Sequence, residues 1–180
     1  MNIKKIHHVA YRCRDAKETV DFYQSMLDMD LMLVFSEEKV PSTKEENPYM
    51  HVFLDAGMGN VLAFFELPDS PEMGRDINTP EWVQHIAFEV FDMESLLKTK
   101  SKIESEGLEV LGPIDHGLFK SIYFFDPNGH RLELTVNMPI SKDEIKKLHD
   151  LAPTMLEEWD RTKRPPKEIN WLHAEEMKKN

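Results

Sequence analysis

The chain has 180 residues, of which 41% are hydrophobic, and its formal net charge is −11 at pH 7. This length suits one domain or two small modules that share a core, and the acidic balance argues against nucleic acid or an anionic membrane as partner. No run approaches the ~20 apolar residues of a membrane span, and the start lacks an apolar signal-peptide core. Because Cys13 is the only cysteine, an internal disulfide is excluded, and we expect a reduced, cytoplasmic protein.

The first half of the chain is predicted to form one strand, one helix and three further strands. Residues 6–13 alternate as a half-buried strand does, with His8 on the face opposite Cys13. Asp15 is placed to cap the helix that follows, with Glu18 at the third helical position. The later strands are expected at residues 31–36, 50–54 and 61–67, with a charged loop over residues 37–48.

The second half repeats this order. His8 corresponds to His85 and Asp15 to Asp92, each in a short alternating run that leads into a helix. The strands of this copy are predicted at residues 82–90, 108–111, 120–125 and 130–136, with a hairpin turn at 126–129. The predicted fold class is α+β, with a first βαβββ module (1–68), a linker (69–80), a second βαβββ module (81–137) and a helical C-terminal extension (138–180).

Three side chains of the repeat are candidate metal ligands. Pseudo-symmetry between the modules would place His8 and His85 face to face. Glu133 lies on the last strand among apolar neighbours, where a lone carboxylate is costly to bury and is expected to face solvent, a cation or a metal. Two histidines and one carboxylate leave coordination positions open, and these donors suit Fe(II), Mn(II), Ni(II) or Zn(II) without choosing among them.

The motifs at residues 6–10, 21–23, 84–88 and 126–134 resemble those of the vicinal-oxygen-chelate superfamily. This superfamily includes glyoxalase I, fosfomycin- and bleomycin-resistance proteins, methylmalonyl-CoA epimerase and type I extradiol dioxygenases. The resemblance covers residues 3–137. It implies paired βαβββ modules that form an open barrel around a divalent metal, bound by His8, His85 and Glu133, with His7 as the rival of His8.

Two further positions favour the extradiol dioxygenase-like branch. Ala63 occupies the repeat position of Glu133, where glyoxalase-like and epimerase-like members usually supply a fourth ligand or catalytic side chain; Glu66 could replace it only through a bulge. Tyr123 matches a tyrosine that dioxygenases place near the metal-bound substrate. His116 is a candidate acid or base behind the ligands. Against this branch, Asn60 stands nearest to the position of the family's usual acid–base histidine.

The resemblance therefore implies a divalent-metal-dependent dioxygenase-like enzyme acting on a small catechol-like substrate, with Fe(II) as the metal expected first. Two alternatives stay open. One is a glyoxalase-type lyase or an epimerase or isomerase that acts through a metal-stabilised enediolate, and the other is a non-catalytic, bleomycin-resistance-like binding protein. The expected partner is a small-molecule substrate, without nucleic acid or membrane, and a homodimer is left open.

Overall fold

The computed structural model describes residues 2–167, and both halves of the chain fold in the same element order. The first half contains β1 (Val9–Cys13), α1 (Ala16–Leu27), β2 (Leu31–Lys39), β3 (Glu46–Asp55) and β4 (Val61–Glu66). The second half contains β5 (His85–Glu89), α2 (Met93–Ser105), β6 (Leu111–Asp115), β7 (Phe119–Phe125) and β8 (Arg131–Asn137), followed by α3 (Lys142–Thr162). The predicted α+β fold of two βαβββ modules is confirmed.

Each module forms its own four-stranded sheet. The strand orders are β1-β4-β3-β2 and β5-β8-β7-β6, with the first pair of each sheet parallel and the others antiparallel. Ala10 pairs with Ala63 in one sheet, and Ala87 pairs with Glu133 in the other. The registers therefore agree with the alignment made from the sequence. Within the described residues the sheets do not close into a barrel.

The helices begin where the repeated aspartates predict. The Asp15 side chain accepts a hydrogen bond from the Glu18 amide, and the Asp92 side chain accepts one from the Ser95 amide, at 2.8 Å in both cases. These bonds satisfy amide groups that a helix start leaves unpaired. Each helix then packs on one face of its sheet, and apolar side chains of both modules join in one core.

The hairpin turn between β7 and β8 joins the two modules. The Tyr23 hydroxyl of α1 donates to the Asp126 carboxylate at 3.2 Å, and the Asn128 amide donates to the Thr19 hydroxyl at 3.1 Å. The backbone amide of Arg14 donates to the Asn128 side-chain oxygen at 2.8 Å. The sequence predicted the turn but not this second role, because a turn motif carries no information about distant partners.

Several predicted boundaries are wrong. Half of the expected loop at 37–48 is strand, since β2 extends to Lys39 and β3 begins at Glu46. Every residue of β2 is exposed, so its charged end lacks the burial alternation by which a strand is recognised. The strand expected at 108–111 lies instead at Leu111–Asp115, and β5 is shorter than residues 82–90.

The C-terminal extension contains α3, which starts with a capping box between Ser141 and Glu144. None of its residues is buried. Residues 168–180, which the sequence assigned to the same extension, lie outside the described residues. Across residues 2–167 no helix has both the length and the apolar character needed to cross a membrane.

Candidate metal centre

Glu133 is a buried carboxylate on the sheet face opposite α2. Its neighbours Leu132 and Leu134 point to the hydrophobic core, and Glu133 points to the other face of the sheet. Glu133 is nevertheless only 3% exposed. A buried carboxylate is tolerated when its oxygens have partners. Here the His85 Nε2 atom lies 3.0 Å from Oε2, and the Tyr123 hydroxyl donates to Oε1 at 3.1 Å. Glu133, which the sequence marked as an unusual carboxylate between two leucines, therefore lies in a polar cluster on the face opposite to those leucines.

The orientation of His85 makes this pair suited to a cation. Its Nδ1 atom lies 3.1 Å from the Val83 carbonyl oxygen, which accepts the Nδ1 hydrogen. With Nδ1 as a donor, Nε2 faces the carboxylate of Glu133, and a positive centre shared by the two atoms, either a proton or a metal ion, suits that distance. Metal-binding histidines commonly donate their other N–H to a backbone carbonyl in this way. The donor set therefore fits a divalent metal.

Tyr123 and His116 extend the cluster on the neighbouring strand and loop. His116 Nε2 lies 2.8 Å from the Tyr123 hydroxyl oxygen, and because that hydroxyl donates to Glu133, His116 is the donor here. Burial and the nearby Glu133 carboxylate raise the pKa of Tyr123, despite an opposing hydrogen bond with Ser121. The phenol therefore stays protonated, and the structure brings both sequence candidates into contact with the Glu133 end of the site.

His8 lies apart from this cluster, immediately before β1. Its Nδ1 is 2.8 Å from His7 Nδ1, and its ring centroid is 5.5 Å from that of Phe53 and 6.1 Å from that of His51. No group of three His, Cys, Asp or Glu side chains in residues 2–167 is close enough to hold a metal ion. Two of the three expected ligands are thus together, and the three-ligand site stays a prediction.

The carboxylate of Glu66 is used to cap a helix. Its Oε2 atom accepts a hydrogen bond from the backbone amide of Ala16, at the start of α1, at 2.7 Å. Ala63, the register equivalent of Glu133, is fully buried. The Asn60 side chain donates to the Gly57 carbonyl oxygen within its own turn at 3.0 Å. The last strand of the first module therefore presents no side chain that matches Glu133.

Sequence reasoning missed His51 and Arg131. His51 on β3 stacks on Phe65 with ring centroids 3.5 Å apart, and its buried Nε2 has no hydrogen-bond partner. Burial, with a smaller contribution from His8, lowers the pKa of His51 to about 4. Arg131 on β8 places its guanidinium carbon 4.4 Å from the centroid of the Tyr123 ring. Strand parity was the available signal, because Arg131 has the same parity as Glu133.

The fold and the donor pair define a protein of paired βαβββ modules with a carboxylate–imidazole site. The model of the Glyoxalase/Bleomycin resistance protein/Dioxygenase superfamily matches residues 5–134, and the chain belongs to this superfamily. The resemblance drawn from the motifs is confirmed. Over 88 residues the chain is 32% identical to the putative ring-cleaving dioxygenase MhqA of Bacillus subtilis (strain 168). That match covers 49% of this chain and 28% of MhqA, so this chain spans less than a third of that relative.

Solved structures share the fold. A glyoxalase family protein from Enterococcus faecalis superposes with a TM-score of 0.55 at 25% identity, over 75% of this chain and 99% of that chain. The fosfomycin resistance protein FosX from Listeria monocytogenes superposes with a TM-score of 0.54 at 22% identity, over 76% of this chain and 95% of that chain. The superfamily is named for glyoxalases, bleomycin resistance proteins and dioxygenases, and FosX shares its fold.

Proposed function

We propose that this protein is a divalent-metal-dependent, dioxygenase-like enzyme that acts on a small catechol-like substrate. The observation that carries the proposal is the continuous contact from His116 through Tyr123 and Glu133 to His85, with successive distances of 2.8, 3.1 and 3.0 Å. It links a metal-type donor pair to two proton-carrying side chains. The similarity to MhqA supports the same branch of the superfamily.

In this proposal the metal is held by His85 Nε2, Glu133 Oε2 and a third nitrogen from His8. When bound, a divalent metal acts as a Lewis acid that lowers the pKa of two adjacent substrate hydroxyls. Fe(II) is proposed first because a ring-cleaving reaction uses dioxygen, although the same donors accept Mn(II), Ni(II) or Zn(II).

Tyr123 and His116 orient the carboxylate and handle protons. The Tyr123 hydroxyl fixes Glu133 through Oε1 and leaves Oε2 directed at His85. Such outer hydrogen bonds hold a ligand in one orientation and tune its basicity. His116 lies on the half-exposed turn between β6 and β7 and donates to the Tyr123 oxygen, so as an imidazolium it would act as the acid. A substrate oxyanion beside Tyr123 would take the hydroxyl proton, and His116 would return a proton to the phenol oxygen and become neutral.

The position of His8 leads us to propose that the site is completed in a homodimer. His8 lies directly before β1 of the first sheet, beside His51 and Phe53 of β3, and forms no three-residue ligand group with His85 and Glu133. The edge strand β2 of that sheet leaves five consecutive apolar side chains at least 41% exposed, from Leu31 to Phe35. Exposed apolar patches of this kind are typical of interaction surfaces. A second copy that covers the first sheet with its own second sheet would bring His8 to the other copy's donor pair.

The lyase or isomerase alternative has weaker support. It uses Glu66 as the proton-transfer group, but the Glu66 carboxylate is bound to the Ala16 amide and has the strand parity opposite to Ala63. A non-catalytic binding protein would use the same site, and the absence of substrate turnover distinguishes it from an enzyme.

Metal content and oxygen uptake test the proposal. Wild-type protein should bind one divalent metal per site by mass spectrometry and consume oxygen with a catechol panel after anaerobic Fe(II) loading. Glu133→Ala should lose both properties, and Glu66→Gln should keep both. Stoichiometric catechol binding without oxygen uptake would move the protein to the binding class, and uptake unchanged in Glu133→Ala would refute the site.

Mixing two inactive variants tests the shared site. His8→Ala and Glu133→Ala should each bind metal poorly. After unfolding and refolding together, a mixed dimer would pair an intact His8 with an intact Glu133 in one of its two sites, and metal binding should return. A protein that is monomeric by light scattering, or a mixture that binds no more metal than its components, would contradict the dimer.

A further inference from the structure

Arg131 stands beside the candidate metal centre on the same sheet face. It lies two residues before Glu133 on β8, and in the sheet register it is opposite His85 on β5. Its guanidinium group lies over the Tyr123 ring at 4.4 Å. A guanidinium stacked on an aromatic ring is held in a fixed plane, and its edge is then available for a planar anion.

This guanidinium has no acidic partner in the described part of the chain. None of the ion pairs among residues 2–167 includes Arg131, and its buried Nε atom has no hydrogen-bond partner. The chain has 33 acidic residues against 22 Lys and Arg, so acids are in excess. A buried N–H donor without an acceptor is unusual and calls for an explanation.

A cleft of about 1010 Å³ opens next to this position. His85 and Arg131 line it together, with Tyr11 on its wall, and the segment at residues 73–81 forms its other side. The volume is that of a pocket for a small organic molecule. A ligand in this cleft would thus meet one candidate metal ligand, His85, and the unpaired guanidinium of Arg131. The carboxylate of Asp76 on the facing segment also lines the cleft, and it accepts hydrogen bonds from the Asn78 amide and the Thr79 hydroxyl.

A second arginine in the same cleft provides the contrast. Arg75 is paired with Glu81 at 2.5 Å and also lies 5.5 Å from the centroid of the Phe125 ring. Its charge is therefore already balanced by the protein. Of these two cleft arginines, Arg131 is the one whose charge a ligand would balance.

We infer that Arg131 binds a carboxylate group carried by the substrate, so that the site selects acidic catechols over neutral ones. This rests on the proposed function, because it assigns the substrate class of the same site. Arginine and carboxylate match in plane and in hydrogen-bond geometry, and the paired N–H donors form charge-assisted bonds. The two vicinal oxygens would lie at the His85 end of the cleft, next to the buried Glu133, while the acidic substituent extends to Arg131.

Binding to Mn(II)-loaded protein under anaerobic conditions tests this inference by calorimetry, without turnover. The probes are 2,3-dihydroxybenzoate, 3,4-dihydroxybenzoate and 3,4-dihydroxyphenylacetate, compared with neutral 4-methylcatechol. Wild-type protein should bind at least one acid about ten- to a hundredfold more tightly than 4-methylcatechol, the range expected for a charged hydrogen bond. Arg131→Met should remove this preference and leave the affinity for 4-methylcatechol unchanged.

Matched variants separate binding from folding. Arg75→Met removes the ion-paired arginine of the same cleft and should keep the preference for acids. Arg131→Lys keeps the charge without the fork geometry and should show an intermediate preference, and each variant's unfolding temperature should stay close to that of wild type. Equal binding of acidic and neutral catechols, or a preference that survives in Arg131→Met, would overturn the inference alone. Absence of binding by every catechol would overturn the inference together with the proposed function.

Discussion

The contact between Glu66 and the start of α1 predicts that this residue serves stability. In Glu66→Ala the Ala16 amide, in a residue 5% exposed, loses the carboxylate that accepts its hydrogen bond at 2.7 Å. An amide left without an acceptor costs about 1–3 kcal/mol. Loss of a negative charge from a helix N-terminus adds about 0.3–1 kcal/mol. Because Asp15 still caps the helix, we expect a total of about 2 kcal/mol.

Thermal unfolding followed by circular dichroism measures this effect. A loss of about 2 kcal/mol corresponds to a fall in Tm of about 4–8 °C for a chain of this size. Glu66→Gln keeps an acceptor oxygen and loses the charge, so its decrease in Tm should be less than half of the decrease in Glu66→Ala. Glu38→Ala, which removes an exposed carboxylate on β2, is the control and should stay within about 0.5 kcal/mol of wild type.

Two results would refute this reasoning. The first is a Glu66→Ala protein as stable as the control, since the contact with Ala16 would then contribute nothing. The second is a Glu66→Gln protein of normal stability that has lost catalytic activity, because Glu66 would then act in the reaction as the isomerase alternative requires.

Three further predictions concern buried polar groups. Burial raises the pKa of Cys13 from 9.0 to about 11, so the unfolded chain loses the thiol proton first. Stability should therefore fall by about 2–3 kcal/mol as pH rises through this interval, and Cys13→Ala should show a flatter profile in urea titrations. Asn128→Ala removes the bonds to Thr19 and the Arg14 amide and should lower the unfolding free energy by about 2–3 kcal/mol in urea; a change below about 0.5 kcal/mol would contradict the docking role of the turn. His51→Phe removes the unpartnered Nε2 and should leave stability equal or raise it by about 1 kcal/mol, so a marked loss in the same assay would show that the nitrogen has a partner.

The repeated pattern was sufficient to predict the fold. Alternation and the capping aspartates Asp15 and Asp92 are local signals, and both modules form around them as expected. The equivalence of Ala63 and Glu133 followed from aligning the last strands, and the register agrees with it. These features are predictable because each depends on residues close together in the chain.

The features that escaped prediction depend on distant contacts. The partner of Glu66 lies 50 residues away along the chain, and nothing near Glu66 indicates it. Residues Asp126 and Asn128 have turn chemistry, which explains their identities locally and hides their contacts with α1. The edge strand β2 was underestimated because an exposed strand lacks the alternation that burial imposes. Arg131 was overlooked because a charged residue on a strand usually faces water.

The two sheets share a backbone plan but differ on one face. Leu62 and Phe64 face the core in the first module, as Leu132 and Leu134 do in the second. On the opposite face, Ala63 stands where the other copy has its buried carboxylate. Residues at alternate positions of one strand are therefore under different constraints, because one set packs in the core and the other set faces the candidate site. One module therefore keeps its shape without the buried carboxylate, and in the proposed site it contributes His8 while the other module contributes His85 and Glu133.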